Sequence, residues 1–201
     1  MLSNSPEYPT IILGVLSAGG LVTTLNPIYT SYEVQRQVEM SETKLIFTSP
    51  ETVPVIQEAL RLAKKNIPII VLDVENSRPD GTVSYKEIIN NTNIDLSILK
   101  EVKREAENVS FLPYSSGTTG LPKGVELTNR NIVSNCLQQD TEFRMHNYTT
   151  DTNQDTVLAI LPMYHSYGMS IVTLHKLSVG LKLVTLPRFK PDTLVNVLEK
   201  H

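Results

Sequence analysis

The chain has 201 residues, 40% of them hydrophobic, and a formal net charge of −3 from 18 basic and 21 acidic residues. This length and composition predict a globular chain with one substantial core, or about one and a half domains. The slightly acidic balance excludes a broad basic surface for nucleic acid or an anionic membrane, so any phosphate site has to be local.

The cysteine content and the apolar segments indicate the protein's environment. One cysteine, Cys136, cannot form an internal disulfide, which suits a reducing compartment, and we expect it to pack on a helix. The longest apolar run, from Ile11 to Val22, has 12 residues, whereas a membrane span needs about 20. Because the first basic residue is Arg36, no charged region precedes that run, and we expect neither an anchor nor a secretory signal.

Hydrophobic periodicity and turn residues predict helices and strands that alternate along the chain. Helices are predicted from Pro6 to about Gly19, over 31–41, over 51–65, directly after Ser84, from Thr128 to about Arg144, from about 165, and from Pro191. Strands are predicted at 21–25, 44–49, 67–73, 108–114, 124–127, 156–162 and 181–187. This order predicts an α/β fold with a mostly parallel sheet.

Four hydroxyl residues are predicted to cap helices: Ser5, Thr30 with Glu33, Ser84 with Glu87, and Thr128. The segments 90–107 and 146–155 are polar and are predicted to be exposed, and 76–81 is predicted to be a turn.

Residues 114–125, YSSGTTGLPKGV, have the composition of an anion-binding loop. Glycines at 117, 120 and 124 free backbone amides from regular pairing, and the hydroxyls of Ser115, Ser116, Thr118 and Thr119 add donors that can turn toward phosphate oxygens. Lys123 adds a positive charge. These residue types predict a loop that holds a polyphosphate.

Two known phosphate loops do not fit this stretch. A Walker A loop needs a glycine before its lysine and a hydroxyl after it, but Lys123 follows Pro122 and precedes Gly124. A dinucleotide fingerprint needs one more glycine ahead of Gly117. By composition alone, a surface turn remains open as the alternative.

The order SSGTTGLPKG, between the strands FLPY and VELT, resembles the phosphate-binding signature of the adenylate-forming, or AMP-binding, superfamily. LSNSPEYPTIILGVLSAGGLVTTLNPIYTSYEV and KLIFTSPE are also similar to that family and carry information on the fold. The resemblance implies the large N-terminal domain of an enzyme such as an acyl-CoA synthetase, 4-coumarate–CoA ligase or luciferase. It implies ATP, Mg²⁺ and coenzyme A as cofactors and a small-molecule carboxylic acid as substrate.

The resemblance also implies roles for individual residues. Ser115, Ser116, Gly117, Thr118, Thr119, Gly120 and Lys123 would hold the β and γ phosphates of ATP, with Thr119 and Lys123 acting in catalysis. No residue is assigned as a metal ligand.

LPMYHSYGMS, at 161–170, is similar to the family's acyl-pocket segment. In it His165 would orient the carboxylate or close the pocket, and Tyr167 and Gly168 would line the acid site. The alternative for His165 is a residue at a helix N-terminus that makes a local hydrogen bond. His175 matches no family role and is predicted to lie on a helix surface.

The resemblance covers most of the chain but only part of the family's architecture. The expected domain is therefore a partial AMP-binding N-terminal domain over 1–201, without the C-terminal lid domain. Two interpretations stay open: a truncated acid–CoA ligase, or an inactive fragment or isoform that binds nucleotide or a partner. The acid, the oligomeric state and the choice between cytosol and peroxisome also stay open.

Overall fold

The structure is a computed structural model that describes residues 1–72, 78–115, 120–143 and 149–200. Its helices are α1 (Glu7–Ser17), α2 (Ser31–Met40), α3 (Val53–Ala63), α4 (Tyr85–Ile89), α5 (Ile98–Glu101), α6 (Asn129–Phe143), a π-helix (Tyr167–His175), α7 (Lys176–Ser178) and α8 (Pro191–Lys200), with a 3₁₀ turn at Pro50–Thr52. Its strands are β1 (Ile46–Thr48), β2 (Ile69–Val71), β3 (Val83–Ser84), β4 (Val109–Phe111), β5 (Tyr114–Ser115), β6 (Lys123–Gly124), β7 (Leu127–Thr128), β8 (Thr156–Ala159) and β9 (Lys182–Thr185).

The chain divides into two compact units. The first comprises Met1–Leu2, Thr23–Lys103 and Tyr114–Val125, and the second comprises Ser3–Val22, Arg104–Pro113 and Glu126–His201.

The first unit is built on a parallel sheet in the order β1-β2-β3. Helix α3 follows β1 and returns the chain to the start of β2, which makes the parallel pairing possible. Strand β2 is buried at all three positions, as its continuous apolar sequence predicts. A hydrophobic cluster stabilises the unit; its buried members are Leu25, Val34, Val38, Ile46, Ile56, Ala59, Leu60, Ile67 and Ile69.

The second unit contains an antiparallel pair, β4 with β7, and a parallel pair, β8 with β9. The π-helix and α7 connect the two parallel strands. Its most deeply buried side chains include Phe111, Met163, Met169 and His175. The parallel pairs in both units confirm the predicted α/β class. The pairs β4–β7 and β5–β6 are antiparallel, so the strand pairing is mixed.

Three of the four predicted caps are confirmed. Thr30 and Glu33 form a complete capping box on α2, and the Ser84 hydroxyl accepts a hydrogen bond from the Glu87 amide. The Thr128 hydroxyl accepts from the Asn131 amide at 3.2 Å at the start of α6. The predicted Ser5 cap is wrong: the Tyr8 amide donates to the Ser5 carbonyl oxygen, and the buried Ser5 hydroxyl has no partner within the described ranges.

The predicted strand at 21–25 is reduced to one parallel bridge between Val22 and Phe111. Val22 forms both bonds of that bridge, donating to the Ser110 carbonyl and accepting from the Leu112 amide. The predicted strands at 44–49, 67–73, 156–162 and 181–187 form over shorter lengths. The predicted strand at 108–114 divides into β4 and β5, and the predicted strand at 124–127 is wrong because Gly124 ends β6 and Leu127 begins β7. The predicted turn at 76–81 and the predicted loop at 146–155 each lie partly outside the described residues.

Candidate functional site

The predicted phosphate loop begins and ends in a short antiparallel hairpin of the first unit. Strands β5 and β6 pair with Tyr114 opposite Gly124 and Ser115 opposite Lys123. Directly opposed residues in an antiparallel pair project from the same face, so the Ser115 hydroxyl and the Lys123 ammonium group leave the hairpin on one side. Both residues are exposed. The hairpin therefore presents a hydroxyl donor and a positive charge together where the loop starts and ends.

Of the two loop glycines that the structure describes, Gly120 is free of regular pairing as predicted, whereas Gly124 pairs with Tyr114 in β6, so the prediction for Gly124 is wrong. Gly120 has a φ of +136°, which side-chain-bearing residues rarely adopt, and a Cβ atom there would have nothing within 4 Å. Lys123 forms no ion pair with any other residue that the structure describes. Ser116, Gly117, Thr118 and Thr119, which the sequence also assigns to this site, lie outside the described residues.

The base of the hairpin is less exposed than its outer end. Tyr114 is partly buried, and this burial raises the pKa of its phenol, whereas the positive charge of Arg36 on α2 lowers it. Tyr114 is therefore a neutral anchor at the base of the hairpin, and Lys123 supplies an exposed positive charge beside it.

The second predicted segment, 161–170, lies in the second unit between β8 and the π-helix. The His165 amide donates to the Pro162 carbonyl oxygen at 3.0 Å, and the His165 carbonyl accepts from the Met169 amide at 2.9 Å. The ring Nδ1 of His165 accepts from the Tyr167 amide at 3.4 Å. His165 is exposed and Tyr167 is 49% exposed. His165 thus makes the local hydrogen bond of the alternative interpretation, and it also keeps a ring that solutes can reach.

Gly168 fills a position where no side chain fits. A Cβ atom there would lie 2.1 Å from the Pro162 carbonyl oxygen and 2.6 Å from the Pro162 carbonyl carbon. The Gly168 carbonyl accepts a hydrogen bond of 2.7 Å from the Thr173 hydroxyl within the π-helix. The helix start therefore packs backbone to backbone against the loop at 161–163. Gly168 is buried, so it contributes shape to this segment rather than a contact surface.

The prediction that His175 lies on a helix surface is wrong. His175 has no exposed surface, and its Nε2 lies 2.9 Å from the Asp140 Oδ1 on α6. The Ser170 hydroxyl also donates to the Asn135 Oδ1 on α6, at 2.7 Å. Two polar contacts therefore join the π-helix to α6. The sequence gives no local signal for either one, because the partners are 35 residues apart.

The Asp140 carboxylate also acts on neighbouring groups. Partial burial raises the pKa of the Cys136 thiol, and the negative charge of Asp140 adds to that effect. Partial burial lowers the pKa of Lys176, while Asp140 acts in the opposite direction. Cys136 is only half-buried on α6, so the predicted helix position is confirmed and the packing is looser than expected.

The donors present at the hairpin fit a phosphate group better than a bare metal ion. Within the described ranges, no group of three or more His, Cys, Asp or Glu side chains could hold a metal. The residues brought together at the hairpin are a hydroxyl, a lysine and a glycine. In the same ranges, no helix is long and apolar enough to cross a membrane.

Comparison with known proteins gives a consistent result. The sequence profile described as AMP-binding enzyme matches residues 1–201. The chain is 34% identical to 4-coumarate–CoA ligase 3 of Oryza sativa subsp. japonica over 100% of its own length and 34% of that protein. It therefore spans about a third of the length of the curated relatives that it matches.

Solved structures show the same fold. The red-emitting luciferase of Phrixothrix hirtus superposes with a TM-score of 0.79 at 25% identity, over 98% of this chain and 37% of that one. The o-succinylbenzoate CoA synthetase of Bacillus subtilis, solved with an acyl-adenylate intermediate, superposes with a TM-score of 0.74 at 22% identity, over 100% of this chain and 46% of that one. These neighbours confirm the prediction of an N-terminal-domain fold of the adenylate-forming type.

Proposed function

The chain belongs to the AMP-binding enzyme family, and we propose that it is part of an ATP-dependent carboxylic acid–CoA ligase. A carboxylate oxygen attacks the α-phosphorus of ATP, the bond to pyrophosphate breaks, and an acyl-adenylate forms. The thiol of coenzyme A then attacks the acyl carbon, the thiol proton leaves to solvent, and AMP departs with the oxygen of the mixed anhydride.

One observation carries this proposal: Ser115 and Lys123 are opposed on the hairpin that encloses the SGTT sequence, next to the left-handed Gly120. The first step needs positioning and charge neutralisation on the leaving pyrophosphate rather than a protein nucleophile. Lys123 supplies a charge that is not neutralised by an acidic partner within the described residues. The Ser115 hydroxyl supplies a rotatable donor beside it.

We assign the remaining phosphate contacts to the part of the loop that lies outside the described residues. The hydroxyls of Ser116, Thr118 and Thr119 would donate to the β and γ phosphates, and Gly117 would let backbone amides approach them. When bound with ATP, Mg²⁺ would share the negative charge of the phosphate oxygens.

In the second unit, the proposal gives His165 the task of orienting the carboxylate of the acid or closing its pocket. The exposed ring supports this, because its Nδ1 accepts from the Tyr167 amide while its Nε2 has no hydrogen-bond partner in the part of the chain that the structure describes. Tyr167 supplies an exposed aromatic face, and Gly168 allows the close backbone packing against Pro162 that shapes this segment. The names of the relatives make 4-coumarate the first acid to test. The use of coenzyme A and the presence of one cysteine are compatible with a location of the protein in either the cytosol or the peroxisome.

The test uses the full-length protein and separates the two half-reactions. In Thr119→Ala and Lys123→Ala, we expect ATP–pyrophosphate exchange to fall by about 100-fold, since each variant removes a donor to the leaving group. Transfer from preformed acyl-adenylate to coenzyme A should fall by less than about threefold, because pyrophosphate takes no part in that step.

Lys86→Ala is the matched control, since Lys86 is an exposed lysine of the same unit, on α4. Equal losses in both half-reactions would contradict the pyrophosphate role. Nucleotide binding without exchange for any acid would favour the alternative, an inactive isoform that binds nucleotide.

A further inference from the structure

The side chain of Asn4 clamps the loop that leads to His165. Asn4 is 5% exposed, and its Nδ2 donates to the Ala159 carbonyl at 3.1 Å and the Leu161 carbonyl at 2.9 Å. Its Oδ1 accepts from the Met163 amide at 2.8 Å. One buried amide therefore satisfies three backbone groups of a segment that is more than 150 residues away in sequence.

The clamped backbone is directly connected to the candidate pocket. Pro162 lies between the two clamped residues Leu161 and Met163, so the Asn4 contacts restrain its peptide groups from both sides. The Pro162 carbonyl accepts from the His165 amide at 3.0 Å, and it is also the atom that faces Gly168 most closely. A displacement at Pro162 would move the start of the π-helix together with the ring of His165.

We propose that Asn4 is a positioning residue for the acid-binding segment, setting the path of 159–163 and through it the placement of His165 and Tyr167. This rests on the proposed function, since it gives that segment an acid to bind. Asn4 makes no contact with substrate in this role. It acts through the backbone, as a supporting hydrogen bond does for a site built on a loop.

An asparagine is the side chain that this geometry requires. The three contacts need two N–H donors and one carbonyl acceptor on a short stem, which among the amino acids only an Asn or Gln amide provides. In Asn4→Asp the Met163 amide keeps its acceptor, but the Ala159 and Leu161 carbonyls lose the Asn4 donor and face a carboxylate in a buried position. In Asn4→Ala the Leu161 carbonyl and the Met163 amide lose their Asn4 partner, and the Ala159 carbonyl keeps the Leu186 amide at 3.4 Å.

The main experiment measures acid-dependent ATP–pyrophosphate exchange in the full-length protein with 4-coumarate, hexanoate and palmitate as probes. For Asn4→Asp we expect the KM of the best acid to rise about tenfold, because small misplacements of positioning groups have effects of this order. The KM of ATP should stay within about twofold of the wild type. Asn196→Asp is the control, since it makes the same chemical change at an exposed position on α8.

The possible outcomes separate the inference from the proposed function. Absence of exchange with all three acids in the wild type would contradict the proposed function for those acids. Wild-type exchange together with an unchanged acid KM in a folded Asn4→Asp variant would overturn the positioning role.

If both Asn4 variants fail to fold, amide hydrogen exchange of the wild type decides the question. The Met163 amide should exchange slowly in the free protein, and more slowly still when a non-hydrolysable sulfamoyl analogue of the acyl-adenylate binds. Rapid exchange at Met163, or exchange unaffected by the bound analogue, would refute the proposal.

Discussion

Substitution of Gly168 by alanine tests the packing at the start of the π-helix. The added Cβ would lie 2.1 Å from the Pro162 carbonyl oxygen and 3.0 Å from the Leu161 carbonyl oxygen. Both atoms belong to the backbone, so no side-chain rotation can relieve the overlap. Because an ordinary contact is about 3.5 Å, the loop or the helix start has to move by roughly 1 Å.

This displacement predicts two measurable effects. Overpacking of a buried position costs about 1–3 kcal/mol, so the free energy of unfolding, measured by urea denaturation, should fall by that amount. A shift of about 1 Å in a group that positions substrate can reduce the rate by about 100-fold. We therefore expect kcat/KM for the acid to fall by a much larger factor than the affinity for ATP.

Gly14→Ala provides the matched control within the same unit. Gly14 lies within α1, and a Cβ atom there would meet nothing within 4 Å. Since glycine in a helix interior costs about 0.5–1 kcal/mol relative to alanine, this variant should be slightly more stable than the wild type. Wild-type stability and acid kinetics in Gly168→Ala would refute the backbone-to-backbone packing described above.

Three further predictions concern capping and ionisation. Thr30→Ala should lower the free energy of unfolding by about 1 kcal/mol, measured by urea denaturation at pH 7. The Thr30 hydrogen bonds lower the pKa of Glu33, so they contribute stability above the ordinary pKa of 4.5, and this stability is lost as the pH falls. The difference in unfolding free energy between variant and wild type should therefore narrow at low pH. Burial raises the pKa of Tyr8 above its ordinary 10.0, so the folded state retains a proton that the unfolded state releases. The free energy of unfolding should therefore fall as the pH rises past 10, and it should fall less steeply in Tyr8→Phe. Asp140→Asn should speed iodoacetamide labelling of Cys136 at pH 8, since one of the two causes that raise its thiol pKa is removed; unchanged labelling would mean that burial alone controls this thiol.

The features that the sequence predicts correctly are those decided within a few residues. The caps at Thr30, Ser84 and Thr128 each use a hydroxyl that accepts from an amide three residues later, so the pattern contains the whole interaction. Strand β2 is predicted because a continuous apolar run has to be buried wherever the sheet forms. The β5–β6 hairpin is predicted only as two strands, because pairing of such short segments depends on the loop between them.

The error at Ser5 has a local cause, whereas those at 21–25 and His175 arise where a distant partner decides the outcome. Ser5 has the residue type of a cap, but the chain uses the Ser5 carbonyl instead, and the hydroxyl is buried. The segment 21–25 forms one strand bridge among the described residues, through Val22, while the side-chain amide of Gln37 on α2 donates to the Thr23 hydroxyl and the Thr24 carbonyl. His175 looks like a surface residue until Asp140, 35 residues earlier, supplies a partner that permits burial.

The two candidate segments therefore differ in how their geometry is specified. The phosphate hairpin is held by pairing between residues less than a dozen positions apart, Ser115 with Lys123 and Tyr114 with Gly124. The segment that carries His165 and Tyr167 is held by side chains from elsewhere: Asn4 at its start, Asn135 at Ser170, and Asp140 at the end of the π-helix.

This difference has a consequence for substitutions outside both motifs. Substitutions at Asn4, Asn135 or Asp140 change no residue of the hairpin. They should therefore alter the KM and kcat/KM of the acid while the KM of ATP stays near the wild-type value. Under the proposed function, such a result would mean that acid specificity can change through residues that contact no substrate. Kinetics of Asn135→Ala against several acids would test this: a uniform loss for all acids and for ATP would show that the α6 contacts serve stability alone.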